Sequence, residues 1–414
     1  MNQTINVFDP AFRADPYPRL AELRRVSPVC QIEPGGMWAV TRYEDVLFVL
    51  KNPDLFSSGG FKAAWEPPWV GYNPMANSML AMDPPAHARL RGLIHRAFGA
   101  STVARLEPRV RAIADTLVGD LVGEVEFVDG FALPLPAFVI GELLGMDPAL
   151  RRNFKRWTDD ILSITPDRPE DAERVRQTIA DLSGYIREVI AARRRAPAED
   201  TVTDLIRAEV DGQRLTDTEI IDFLVLLLIG GLETTTHLLC NSMIYLAAHP
   251  SMMDRLRADP ALIPLFIEEI LRYDGTVLAL PRIATRDVTL SGVTVPAGAL
   301  VLPFLSSANR DERKFPDPDR FDLHRGSQGS VSFGHGIHFC IGAALARVEM
   351  RVALETLLAR FRRIERGAGE LQYNRAITVR GPVELPLRFI PASAGAVRAP
   401  YAQVGAAMEV ALAE

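Results

Sequence analysis

Ten residues, Phe333-Gly334-His335-Gly336-Ile337-His338-Phe339-Cys340-Ile341-Gly342, concentrate more potential chemistry than any other stretch of this chain. A cysteine acts as nucleophile or metal ligand only as the thiolate, and the positive end of a helix dipole favours that form. Cys340 stands just ahead of an amphipathic pattern that predicts a helix over 341–361. Glycines at 334, 336 and 342 let the backbone turn tightly and approach a flat object, and loop N–H groups can donate to the sulfur. A lone cysteine is more often a buried, inert thiol. The glycine spacing, Phe333, His338 and the following helix favour a metal-bound thiolate here.

A second group lies in an apolar stretch, Leu226-Leu227-Leu228-Ile229-Gly230-Gly231-Leu232-Glu233-Thr234-Thr235-Thr236. Paired glycines inside a helix cost about 1 kcal/mol each relative to alanine. They are tolerated where the backbone must open or a neighbour must pack close. Threonine hydroxyls can bond back to freed carbonyls and hold a bend. An unpaired carboxylate at Glu233 is expensive unless it serves a purpose. The plainer alternative is a helix-packing glycine pair with a surface Glu233.

Basic groups recur at three further places. His87 and Arg91, in Asp83-Pro84-Pro85-Ala86-His87-Ala88-Arg89-Leu90-Arg91, are four apart and share one helix face, where they could clamp two carboxylates. Arg282 follows a helical segment in which Glu269 and Arg272 sit at i and i+3. Alone, such a pair is an ordinary surface ion pair, and each basic residue an ordinary solvated charge.

Taken together, these segments resemble the cytochrome P450 superfamily, of the soluble bacterial, ferredoxin-dependent type. The cysteine loop matches the family's F-G-x-G-x-H-x-C-x-G, and Gly230 to Thr235 its G-G-x-[D/E]-T-T. Glu269 and Arg272 match its E-x-x-R. The resemblance runs from Asp15-Pro16-Tyr17-Pro18 to Glu384-Leu385-Pro386-Leu387. It implies a mainly α fold with small β-sheet regions, a single compact haem-binding unit over 1–390 with a tail at 391–414. It implies haem b as cofactor, with Cys340 as the iron ligand and Phe333, Gly334 and Gly342 framing it. His338, His87, Arg91 and Arg282 would bind the haem propionates, and Glu233 and Thr234 would relay protons to dioxygen. Glu233 stands where many soluble bacterial members have Asp. Glu269, Arg272 and Arg320 would form a buried supporting network.

The implied activity is a haem-thiolate monooxygenase that hydroxylates or epoxidises a medium-to-large apolar molecule: a terpenoid, steroid-like compound, polyketide or fatty acid. Its electrons would come through a ferredoxin and ferredoxin reductase, with Arg347 and the arginines between Arg105 and Arg111 as a docking patch. The alternatives are a haem-thiolate peroxygenase or isomerase, which would not need Glu233 and Thr234, and a haem protein that binds ligands without turnover. The substrate pocket is expected between 226–234, 277–280, 377–379 and the loop 59–83.

The elements that must position these residues are mostly helical in pattern, over 101–122, 169–195, 216–248, 260–273 and 341–361. Strand-like patterns cover 37–41, 288–302 with a turn near 296–298, and 377–389. The stretch 59–83, with Trp65, Trp69 and Tyr72 among Pro, Gly and Asn, reads as a long functional loop. At 414 residues the chain can bury a large core, and no linker or repeat divides it. Its net charge of −6 argues against nucleic acid as partner. Three scattered cysteines, no apolar leader and an apolar run of only ten residues point to a reduced, cytoplasmic setting without a membrane anchor.

Overall fold

The computed structural model describes residues 5–145, 151–164, 168–326 and 328–392. The segment 393–414, most of the expected tail, lies outside them.

One helix, Asp217–Ala248, organises the rest. Thr216 caps its start reciprocally: the Glu219 amide donates to Thr216 Oγ1 and the Thr216 amide to the Glu219 carboxylate. Apolar side chains on every side of it require burial all round. Helices Pro134–Leu143, Ala172–Arg195, Ile263–Asp274 and Ala343–Arg360 supply it. By length and composition this helix could cross a membrane, but 72% of that stretch is buried inside the molecule.

The helix runs unbroken through Gly230 and Gly231. A Cβ at Gly231 would fall 2.9 Å from Ile140 Cδ1, so close packing accounts for that glycine. Thr234 and Thr236 bond back to the carbonyls of Gly230 (2.6 Å) and Leu232 (2.8 Å), as the threonine run anticipates.

A five-stranded sheet flanks the helices in the order Val29–Ile32, Met37–Val40, Leu300–Pro303, Arg282–Ala284, Phe56–Ser57. Val288–Leu290 and Val293–Val295 form a hairpin ahead of it. A three-stranded sheet pairs Phe361–Arg366 and Gly123–Glu126 with Pro386–Pro391. The expected strand over 377–389 is corrected here. Residues 372–383 fold back as an irregular hairpin, with Asn374 N donating to Gly381 O (3.0 Å) and Val383 N to Gln372 O (2.7 Å). Regular pairing starts only at Pro386.

The stretch 59–83 contains two single-turn helices, Lys62–Trp65 and Pro74–Asn77. Polar side chains fasten it: Asn73 caps Met75 N (3.0 Å) and donates to Trp65 O (2.7 Å), and Asn77 donates to Glu66 (2.9 Å). The Tyr72 hydroxyl bonds both oxygens of Asp222 on the central helix, each at 2.7 Å.

Candidate active site

The cysteine loop is a folded knot of backbone. Cys340 N donates to Phe333 O (2.9 Å), closing the loop on itself. Gly336 has φ +70°, and a Cβ there would lie 2.6 Å from the carbonyl oxygen of Leu50. No other residue fits that approach without backbone movement. The helix begins at Ala343, two residues later than the pattern predicts.

Cys340 lies deep in the molecule yet is accessible, because it borders a cavity of about 280 Å³. Burial pushes its thiol up, while the N–H groups of Gly342 and Ala343 and the charges of Arg91 and Arg347 favour the thiolate. The same cavity is lined by His87, Arg91, Arg282, Phe333, Gly334, His338, Gly342 and Thr234. Of the residues expected to bind the haem or relay protons, Glu233 alone is not among its lining. Its carboxylate accepts from Asn374 Nδ2 (3.0 Å) and stands 3.5 Å from His237 Nε2, on a different side of the helix.

The basic groups converge. The His87 and His338 rings lie 4.3 Å apart, and His338 Nε2 is 3.1 Å from Ser58 Oγ. Arg91 donates to Phe339 O (2.5 Å) and Arg282 to Pro281 O (2.7 Å). Burial first, then Arg282, His87 and Arg91, holds His338 down to about 3. Burial likewise lowers Arg282 to about 10. None of the four forms an ion pair among the described residues. The nearby Asp83 carboxylate is already taken by Ser57 (2.5 Å) and the amides of Ser58 (2.9 Å) and Gly59 (3.3 Å). The buried Arg282 and half-buried Arg91 guanidiniums lack an ion-pair partner, with the two imidazoles beside them as hydrogen-bonding groups, and two carboxylates from outside the chain would complement them.

The apolar part of the cavity comes from Met75, Met79 and Leu80 of the 59–83 stretch, Phe223, Leu226 and Leu227 of the central helix, and Val277 and Leu280. The expected contribution of 377–379 is not found: Ile377 packs instead against a cluster around Val7 and Phe12. Glu349, which sequence reasoning missed, also lines the cavity. It is buried, its Oε2 has no partner, and burial raises it to about 8. Gly342, Ala346 and Glu349 stand at i, i+4 and i+7 of one helix face, a spacing legible in the sequence.

The family model for cytochrome P450 matches residues 149–383. The chain belongs to the cytochrome P450 family. This P450 is 41% identical over 377 residues to the cyclomarin C epoxidase CymV of Salinispora arenicola, covering 89% of this chain and 95% of that one. It is 39% identical over 350 residues to the erythromycin C-12 hydroxylase of Saccharopolyspora erythraea, covering 83% and 87%. Among solved structures it resembles P450 CYP109Q5 from Chondromyces apiculatus, with TM-score 0.88 and 42% identity over 95% of this chain and 100% of that one. The mainly α fold and the monooxygenase class follow, as does haem as the family's cofactor. The residues fit that group. An accessible sulfur faces the cavity. A buried His87 Nε2 without a partner stands beside the cations that need two carboxylates.

One expectation is revised. Arg320 is solvent-facing and pairs with Asp317 (3.3 Å) and Asp322 (2.8 Å), contributing only its carbonyl to Arg272. The second guanidinium at Glu269 is that of Arg325, at 3.4 Å. The arginines expected as a docking patch each carry an ion pair: Arg347 with Glu268, Arg105 with Asp204, Arg109 with Glu142, and Arg111 with Glu107 and Glu355.

Proposed function

We propose that this P450 inserts one oxygen atom of O2 into a C–H or C=C bond of a medium-to-large apolar molecule. The steroid-like, polyketide, terpenoid and fatty-acid classes fit best, and the setting is the cytoplasm. A ferredoxin and its NAD(P)H-dependent reductase supply the electrons. The observation that carries this reading is a single cavity joining the Cys340 sulfur, the buried cationic cluster and Thr234 to a wall of apolar side chains. The bound haem supplies the redox chemistry of dioxygen activation, with thiolate ligation favouring O–O cleavage.

The chain's own residues do the rest. Cys340 would hold the metal, with the amides of Gly342 and Ala343 directed at its sulfur. His87, Arg91, Arg282 and His338 would hold the two propionates of the group. Phe333, Gly334 and Gly342 shape the pocket wall near the sulfur. The Thr234 hydroxyl, bonded to Gly230 O, can hand on a proton that Glu233 supplies after turning inward. Arg347 stacks 4.5 Å over Phe333, beside the sulfur, which supports docking of the electron donor on that side.

The names of the two relatives, an epoxidase and a hydroxylase, support both kinds of insertion. The test is spectroscopic and kinetic. The reduced, CO-bound protein is expected to show the red-shifted band of a thiolate-ligated haem, and Cys340→Ser to lose it. A ferredoxin with NAD(P)H should support turnover of compounds that shift the Soret band. Retention of the red-shifted band in Cys340→Ser, or turnover with peroxide but never with ferredoxin, refutes the reading.

A further inference from the structure

Glu233 is bracketed from outside the cavity by parts of the chain far from it in sequence. Asn374, on the 372–383 hairpin, gives one amide proton to Glu233 Oε1 at 3.0 Å. Its Oδ1 accepts from Arg13 Nη2 (2.7 Å) and Gly381 N (3.4 Å). Those two donors on one side and the carboxylate on the other admit only this orientation of the amide. Arg13 is itself buried, 2% exposed, and locked by Asn374 O (2.9 Å) and Val379 O (2.7 Å). Its Nη1 is buried with no partner. His237, one turn beyond Glu233, closes the bracket, with Nε2 3.5 Å from Oε1 and 3.3 Å from Asn374 Nδ2. A Cβ at Gly381 would fall 2.0 Å from the imidazole, so the hairpin backbone is pressed onto that ring.

A cation and a carboxylate thus stand on either side of one neutral amide. A direct Arg13–Glu233 fork would hold the carboxylate ionised and fixed. An amide bridge transmits part of the attraction through one ordinary hydrogen bond, which a rotating side chain can release. We propose that Asn374 is a positioning residue for proton supply: it ties Glu233 to Arg13 while keeping the two from closing into an ion pair. Protons then enter from the face made by the helix Pro10–Ala14 and the 372–383 hairpin. The inference rests on the reading of Glu233 as the acid that feeds Thr234.

The test uses the haem-loaded enzyme with a surrogate ferredoxin, its reductase and NADPH, comparing Asn374→Ala, Arg13→Gln and Glu233→Gln with the wild type. Oxygen consumption is measured in H2O and D2O. Independently of turnover, the Asn374 side-chain amide is followed by 15N NMR in the diamagnetic, CO-bound ferrous form. Asn374→Ala is expected to slow oxygen consumption by roughly tenfold or more, as for a displaced catalytic group, and to enlarge the D2O effect. The CO-bound spectrum should not change. Arg13→Gln is expected to act in the same direction, and it keeps the idea testable if Asn374→Ala loads haem poorly. The Asn374 amide resonance should move in Glu233→Gln. Wild-type rate and D2O effect in both Asn374→Ala and Arg13→Gln, with Glu233→Gln impaired, overturn the positioning role and leave the acid's role standing. An unmoved amide resonance in Glu233→Gln also overturns it. A fully active Glu233→Gln with a normal D2O effect removes the acid's role, and the proposal with it.

Discussion

Arg272→Met should destabilise the folded enzyme severely, and the structure says by how much. The Arg272 side chain is 1% exposed and its partner Glu269 3% exposed. Nε and Nη2 donate to the two Glu269 oxygens at 2.8 and 2.7 Å. The remaining donors serve the carbonyls of Asn309 (3.0 Å), Pro318 (2.9 Å) and Arg320 (3.3 Å). Methionine keeps the volume but leaves Glu269 with Asp322 N at 2.8 Å and Arg325 at 3.4 Å. Removing one partner of a buried pair costs about 3–5 kcal/mol, because the other charge stays buried. An unfolding entropy of about 2.1 cal/mol/K per residue gives about 0.9 kcal/mol/K for 414 residues. The melting temperature should therefore fall by roughly 3–6 °C. Thermal melts of the haem-loaded protein, followed together at the Soret band and in the far-ultraviolet circular dichroism, measure it. Adding Glu269→Gln to Arg272→Met should lose less than the sum of the two single changes. A fall below about 1 °C, or strict additivity, would show that Arg325 and the backbone amide hold Glu269 without Arg272.

Glu349 titrates in the opposite sense from a paired carboxylate. Burial raises it from 4.5 to about 8, so between those values the folded state binds the extra proton. Stability then falls as pH rises through the window, by up to about 1.4 kcal/mol per pH unit, and Glu349→Gln should remove that slope in denaturant titrations at pH 5, 6.5 and 8. Tyr72→Phe deletes the donor to Asp222, and hydrogen exchange over residues 62–83 should quicken by roughly fivefold, the equivalent of about 1 kcal/mol. Because burial lifts Asp222 to about 6, the gap between Tyr72→Phe and wild type should shrink as pH falls below that value. Gly336→Ala puts a Cβ 2.6 Å from Leu50 O at a left-handed φ, and should lower the Soret-to-280-nm ratio of purified protein.

Much of the site was legible because its chemistry is local. The cysteine loop packs ligand, turn glycines and helix start into ten consecutive residues, so its identity needs no knowledge of the fold. His87 with Arg91, and Glu269 with Arg272, follow from helical spacing alone. What stayed hidden depends on contacts between distant segments. Arg320 and Arg325 are five apart in a turn-rich stretch. Which of them reaches Glu269 is decided by local backbone, including a left-handed Asp317 (φ 49°), that no periodicity reveals. The β-like alternation of 377–389 was overridden because the hairpin spends its polar groups on Arg13, Glu233 and Asp274 rather than on a neighbouring strand. The outward placement of Glu233 is likewise set by Asn374, 141 residues away. Glu349 was legible by spacing, but its burial was not.

The Arg13–Asn374 contact joins residues 361 apart in sequence, whereas every residue lining the cavity falls between positions 75 and 349. A chain made from its N-terminus therefore finishes the cavity walls before it can fasten the acid. During synthesis the pocket can be shaped, and its cofactor admitted, while Glu233 is still unheld. Closing so long a loop comes late and at an entropic cost. The hold on Glu233 is thus a contact that becomes possible only after the residues lining the cavity have been made.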